Sequence, residues 1–144
     1  MKCKKCGEKA VLHLEHHNLA LCKVHFLEWM CKQTERAIQR YKMFSKADRL
    51  LVAVSGGKDS LSLWDILWKL GYQSEGIYLD LGIDEGIAYS KTSGKLAEKF
   101  ADQRGLKLTY LNIKAQYGET VPDMGARTKR GRQKPCSQCG LVKR

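Results

Sequence analysis

The string Ser55-Gly56-Gly57-Lys58-Asp59-Ser60 combines residue types that grip phosphate. Gly56 and Gly57 have no side chains, so backbone N–H groups can close on phosphate oxygens. Ser55 and Ser60 add hydroxyl donors, and Lys58 adds a cation. A helix starting at this point presents free N–H groups and the positive end of its dipole. Asp59 is the odd member, because a carboxylate repels phosphate. It makes sense as a helix cap, or as a group that holds Mg²⁺ directly or through water. The string is not the Walker pattern, which needs G-x-x-x-x-G-K-S/T.

A second set is Cys3, Cys6, Cys22 and His25, in C-x-x-C and C-x-x-H halves with 15 residues between them. Four such ligands suit tetrahedral Zn²⁺, and with every position filled by protein the site should be structural. His13, His16 and His17 read as polar hairpin residues. A third set is Cys136 and Cys139 in Pro135-Cys136-Ser137-Gln138-Cys139-Gly140, with Lys143 and Arg144 after it. That pair fits half a zinc site, a redox disulfide, a persulfide carrier or part of an iron–sulfur cluster, which needs at least one further cysteine. Cys31, the one of the six cysteines outside these sets, reads as a small buried hydrophobe.

These residues need elements to position them. Residues 1–26 form a small module with room for a hairpin between Ala10 and Leu21, and Asn18 as a turn residue. Such a module cannot bury enough apolar surface to fold alone. Phe26, Trp29, Met30, Ile38, Tyr41 and Phe44 roughly follow a helical period, which predicts a linking helix within 27–47. From residue 48 the pattern is α/β. Arg49–Val54 suits a buried parallel strand. The phosphate-type turn follows, then a helix over Leu61–Leu70 stopped by Gly71. Glu75–Leu81 is a second strand, Ala88–Arg104 a second helix ended by Gly105, and Leu106–Ile113 a third strand. Strand–helix–strand–helix–strand predicts a parallel sheet with right-handed crossovers. Residues 114–135 read as a long polar connection. A three-stranded sheet is thin, and the second cysteine pair lacks further ligands. Both features predict a truncated chain, ending soon after that motif.

Length and charge bound the function. The chain has 144 residues, 43% of them hydrophobic, which suits one modest domain or a small core with an appendage. Lysine plus arginine number 26 against 15 acidic residues, a formal charge of +11 that points to a polyanionic partner such as nucleic acid. No acidic residue follows Asp123, while Arg127, Lys129, Arg130, Arg132, Lys134, Lys143 and Arg144 do. No run approaches the ~18 apolar residues of a membrane span, and the start is not a signal peptide. A cytoplasmic protein with no membrane partner is expected.

The six-residue string resembles the PP-loop of the N-type ATP pyrophosphatases. The resemblance implies an adenine nucleotide alpha-hydrolase-like α/β fold that binds ATP, transfers AMP to a substrate oxygen and releases pyrophosphate. The three sets in this order resemble the TtuA/Ncs6/TtcA family of tRNA 2-thiolation enzymes along essentially the whole chain. The cysteine/histidine module is similar to the TtuA and Ncs6 branches and is lacking in the TtcA branch, while the segment Ile77–Ile83 and the helix Glu28–Tyr41 are most similar to the TtuA branch, which thiolates the T-loop ribothymidine. Wobble-uridine thiolation, as in the Ncs6 branch, comes second.

The resemblance implies that Ser55, Gly56, Gly57, Lys58, Asp59 and Ser60 bind ATP phosphates, and that Ala53 and Leu79 contact the adenosine. It implies that Cys136 and Cys139 are two of three ligands of a 4Fe–4S cluster, and that Lys143 reaches the phosphates. Asp59, Cys136 and Cys139 are then the catalytic candidates. Mg²⁺, Zn²⁺, tRNA, a ubiquitin-like sulfur carrier with a C-terminal thiocarboxylate, and a homodimer complete the expectation. The segment Arg127–Lys134 would meet tRNA. A zinc-containing RNA-binding module with a degenerate nucleotide site is the competing reading, and a synthetase-type ligase on the same fold a third.

Overall fold

Asn18, in the left-handed region at φ 44°, reverses the chain between two strands, β1 (Leu12–Leu14) and β2 (Leu19–Leu21). A single 3-10 turn, Glu15–His17, fills the bend, and the strands pair antiparallel with Leu12 opposite Leu21. This computed structural model describes residues 1–83, 89–127 and 136–143, with the Cys136 side chain outside that set. The chain forms two compact units: residues 1–48 with 66–72, and residues 49–65 with 73–144. The first therefore takes in both the expected zinc module and the expected linking helix.

In the first unit, helix α1 (Lys23–Arg40) starts directly after Cys22. Cys3, Leu21 and Cys22 are buried, and Leu14, Leu19, Phe26 and Trp29 pack against them. The rings of Phe26 and Trp29 stack, and His17 meets Trp29 edge-on at 5.1 Å. The helix ends earlier than its apolar pattern predicts. Lys42 takes φ 48°, and the amides of Lys42 and Met43 turn back to the Gln39 and Ile38 carbonyls. Those two bonds are a Schellman ending, with lysine where glycine is usual. Tyr41, expected on the apolar face, is therefore 65% exposed. Cys31 is half-buried rather than core, on an exposed side of α1 shared with Val24 and Leu27. The same unit holds the end of α2 (Lys58–Lys69), where Gly71 supplies the positive φ that stops it.

In the second unit, β3 (Arg49–Val54), β4 (Gln73–Asp80) and β5 (Leu108–Asn112) form a parallel sheet in that order. Ala53 lies beside Ile77 and Val54 beside Tyr78. Strands laid down in sequence order by right-handed crossovers put both helices on one face. Contacts agree: Trp64 of α2 lies over Gly76, and α3 (Tyr89–Asp102) lies over Tyr78 and Tyr110. Trp64 is fully buried against Phe100, and a half-buried ion pair joins Arg104 to Asp65. The strand Arg49–Val54 is thus buried on one face only. Val52 and Val54 are covered, whereas Leu51, on the other face, is 65% exposed.

The expected polar connection 114–135 is in part helical. Helix α4 (Ile113–Tyr117) is capped by the Asn112 side chain, which accepts the Ala115 amide. Helix α5 (Val121–Arg127) carries a reciprocal cap between Thr120 and Asp123. Val121 and Ile113 are buried with Leu81. Helix α6 (Cys136–Val142) closes the described chain. Residues 128–135, which include most of the basic segment Arg127–Lys134, lie outside the described residues, as do Ala88 at the expected start of α3 and Arg144.

Candidate active site and metal centre

The turn after β3 is shaped by its own groups. Gly56 takes φ +73°, a conformation that disfavours any side chain. A Cβ there would also lie 2.2 Å from the Ser93 carbonyl oxygen, so the turn rests directly on the backbone of α3. Ser60 braces the turn from inside: its hydroxyl donates to the Gly57 carbonyl at 3.1 Å and accepts the Ser55 amide at 3.1 Å. The same hydroxyl also lies 3.3 Å from the Ser55 hydroxyl. Lys58 and Asp59 are exposed in the first turn of α2. A carboxylate at that position is favourable to the helix dipole.

The C-terminal ends of β3 and β4 border a cleft of about 250 Å³. Ala53, Ser55, Leu79 and Lys143 line it, with Tyr89 and Ser90 from α3. Four residues expected around one nucleotide thus meet at one cleft, although they are up to 90 positions apart (143 minus 53). A second hollow of about 210 Å³ flanks the turn, between Ser55, Gly56 and Gly57 on one side and Tyr89, Thr92 and Leu96 on the other. Cys139 packs with Leu79 and Val142 against the Leu81, Ile113 and Val121 cluster. Cys136 lies three residues earlier, at the first position of α6.

Several residues around this cleft carry no motif. Tyr78, Ser90 and Ser93 are buried beside the cleft and bonded to one another. Asp80 ends β4 and accepts from the Gly82 amide, the Tyr110 hydroxyl and the Asn112 amide group. Burial, and then the Asp80 carboxylate, push the Tyr110 phenol well above its ordinary value, so it stays a donor. The only sequence signal for this shell was the hydroxyl run Tyr89, Ser90, Thr92 and Ser93 at the start of α3.

In the first unit, the ligand atoms of Cys3, Cys6, Cys22 and His25 all lie within 4.8 Å of one another. Cys22 Sγ is 3.3 Å from His25 Nδ1 and 3.7 Å from Cys6 Sγ, and Cys3 Sγ is 3.5 Å from Nδ1. Zn–N of about 2.0 Å and Zn–S of about 2.3 Å give tetrahedral edges of roughly 3.5–3.8 Å, so these three separations are close to those of a closed zinc site. Burial pushes the Cys3 thiol up, but the backbone amides of Cys22, Lys5 and Cys6 outweigh it and bring it down to about 6. At Cys6 the Glu8 amide pulls downward, and burial with the Cys3 and Cys22 sulfurs outweighs it, to about 11. His13, His16 and His17 stay outside the cluster.

Comparison with known proteins finds relatives. Residues 2–27 match the N-terminal LIM domain of the 2-thiouridine synthetase TtuA. All of the chain aligns at 49% identity with 43% of the tRNA-5-methyluridine(54) 2-sulfurtransferase of Thermus thermophilus. It aligns over 99% of its length, at 34% identity, with 42% of the cytoplasmic tRNA 2-thiolation protein 1 of Drosophila virilis. The U34-tRNA thiolase NcsA of Methanococcus maripaludis, solved with its 4Fe-4S cluster, superposes with a TM-score of 0.77 at 26% identity, over 99% of this chain and 46% of that one. The chain spans less than half the length of these relatives. The cysteine/histidine module thus matches the TtuA LIM domain, and the chain as a whole, with its parallel sheet and glycine turn, is similar to part of the tRNA 2-thiolation enzymes.

Proposed function

We propose that the chain serves ATP-dependent 2-thiolation of a tRNA uridine. The reading rests above all on one observation: Ala53, Ser55, Leu79 and Lys143 line a single cleft at the end of the glycine turn. Adenosine would lie against Ala53 and Leu79, with its phosphates over the Gly56 and Gly57 amides and near Lys58 and Lys143. The C2 oxygen of uracil is a poor leaving group. Its attack on the α-phosphorus forms a bond to AMP and expels pyrophosphate. A sulfide then attacks C2, and AMP departs with the oxygen. Charge growing on the phosphates would meet the turn amides and two lysines. Asp59 would hold Mg²⁺ at the phosphates.

Cys136 and Cys139, three positions apart in the sequence, would hold two corners of a 4Fe–4S cluster, whose chemistry is a soft Lewis-acid seat for sulfide. Zn²⁺ in the first unit would be structural, since its four positions are filled. The partners on this reading are tRNA, a ubiquitin-like sulfur carrier ending in a thiocarboxylate, and a second copy of the chain, in the cytoplasm. The T-loop ribothymidine is the favoured target, because the LIM match and the higher identity are to that branch. Wobble-uridine thiolation is the second reading, supported by the structural likeness to a U34-tRNA thiolase.

Calorimetric titration with Mg·ATP tests the core of this reading. Saturable binding that is lost in Asp59→Ala supports it. Tight tRNA binding with no ATP binding would favour an RNA-binding module instead.

A further inference from the structure

We infer that Tyr78 is a positioning residue for the Ser55–Ser60 turn, acting through Ser90 and Ser93. The inference rests on the nucleotide-turn reading proposed above. Tyr78 is 3% exposed on β4, and its side chain points beneath the first turn of α3. Its hydroxyl lies 2.7 Å from the Ser90 carbonyl oxygen and 3.0 Å from Ser93 Oγ. The Ser93 hydroxyl in turn donates to the Tyr89 carbonyl at 2.5 Å. Ser90 extends the network on its other side, where its hydroxyl accepts the Ile83 amide at 3.0 Å. Each hydroxyl has a single proton, so with the Ser93 proton on the Tyr89 carbonyl, the Tyr78 proton is shared between the Ser90 carbonyl and Ser93 Oγ and holds both in place.

What this network holds is the seat of the turn. The Ser93 backbone carbonyl is the surface on which Gly56 rests, too close for even a methyl group. Gly56 has no side chain with which to adjust. The depth of the turn, and hence the aim of its amides, therefore follows the position of the first turn of α3. Tyr78 and Ser90 also line the cleft of Ala53 and Lys143, so one network borders both places where a nucleotide would rest. A core tyrosine satisfied by chance would need only one partner. This one ties β4, α3 and the Ile83 segment together at the point where the turn is supported.

The test compares the whole chain with Tyr78→Phe, which keeps the ring and removes the hydroxyl, and with Tyr72→Phe as a hydroxyl-deletion control. Hydrogen exchange without ligand is read first. The expected result is faster exchange at the amides of residues 55–60 in Tyr78→Phe, with β3 unchanged and no such effect in the control. Nucleotide affinity is read second: ATP should weaken by about five- to tenfold, the worth of one buried hydrogen bond, while AMP changes by less than about twofold. A general loss of stability would speed exchange throughout the sheet and leave the ATP-to-AMP ratio unchanged. Either that pattern or unchanged exchange at residues 55–60 overturns the inference. A wild-type chain that binds neither nucleotide overturns the nucleotide reading, while the exchange experiment still decides the role of Tyr78.

Discussion

Gly56 and Ser93 meet backbone to backbone: a Cβ on Gly56 would fall 2.2 Å from the Ser93 carbonyl oxygen and 2.7 Å from its carbon. No side-chain rotation relieves such a clash. Gly56→Ala must also hold an alanine at φ +73°, which costs about 1–2 kcal/mol by itself. The turn should therefore shift away from α3. We expect Mg·ATP affinity to fall by more than about tenfold, the equivalent of ~1.4 kcal/mol. Gly57→Ala is the contrast, because its nearest neighbour is the Ser55 hydroxyl at 3.4 Å and its φ is not positive. It should fold normally. Equal affinities in both variants would show that the support of Gly56 does not matter.

Gly76 makes a parallel prediction for stability alone. It lies beneath the Trp64 ring, and a Cβ would sit 2.4 Å from Cη2. Trp64 is fully buried against Phe100 and has no free direction to move. Overpacking of this kind costs about 1–3 kcal/mol. Gly76→Ala should lower the thermal midpoint by several degrees without changing the composition of the cleft.

The clarity of these two glycines in the structure contrasts with their appearance in the sequence. The turn glycines were legible because they sit in a motif between a strand and a helix. Gly76 was not, because its reason is a tryptophan 12 positions earlier that only the crossover brings over it. The same distinction runs through the site. Cys3, Cys6, Cys22 and His25 were readable because ligand spacing is local within each half. Ala53, Leu79 and Lys143 came only through the family resemblance, since no local pattern joins them. Tyr78, Ser90 and Ser93 were missed because a hydroxyl network has no fixed spacing. Two short helices in 114–135 went unread although Thr120 and Asp123 form a capping box. The α1 end was overrun because a lysine, not a glycine, takes the left-handed position.

Glu75 predicts how stability depends on pH. Hydrogen bonds from Lys107 and then Arg49 hold its carboxyl below the ordinary value. The pairs tie β4 to Arg49 at the start of β3, at 2.9 Å, and to Lys107 just before β5, at 3.1 Å. A folded value below the unfolded one means that the contribution is fully present above about pH 4.5 and is lost as the pH falls through the folded value. Glu75→Gln should therefore reduce stability near neutrality and narrow the gap to wild type in acid. Both midpoints, followed by circular dichroism from about pH 7 down to 3, should converge toward the acid end. A constant gap across that range would show that the pairs contribute nothing that titrates.

The last prediction concerns the cysteine/histidine centre, where packing and metal binding are coupled. The buried cluster at the centre consists of Cys3, Leu21 and Cys22, so two of its three buried members are themselves ligands. So small an apolar core leaves much of the module's folding energy to the metal. Chelation should therefore release the hairpin, and the signal to follow is the fluorescence of Trp29, which packs against Phe26 and His17 in that core. Cobalt titration of the stripped chain should restore it at one equivalent and give thiolate-to-cobalt absorption. Cys22→Ser should lose both signals. Cys31→Ser should keep them, because Cys31 lies outside the cluster. If the tryptophan signal survived chelation at full amplitude, the hairpin would have to be held by its strands and α1 alone, and the structural role of the metal would fall.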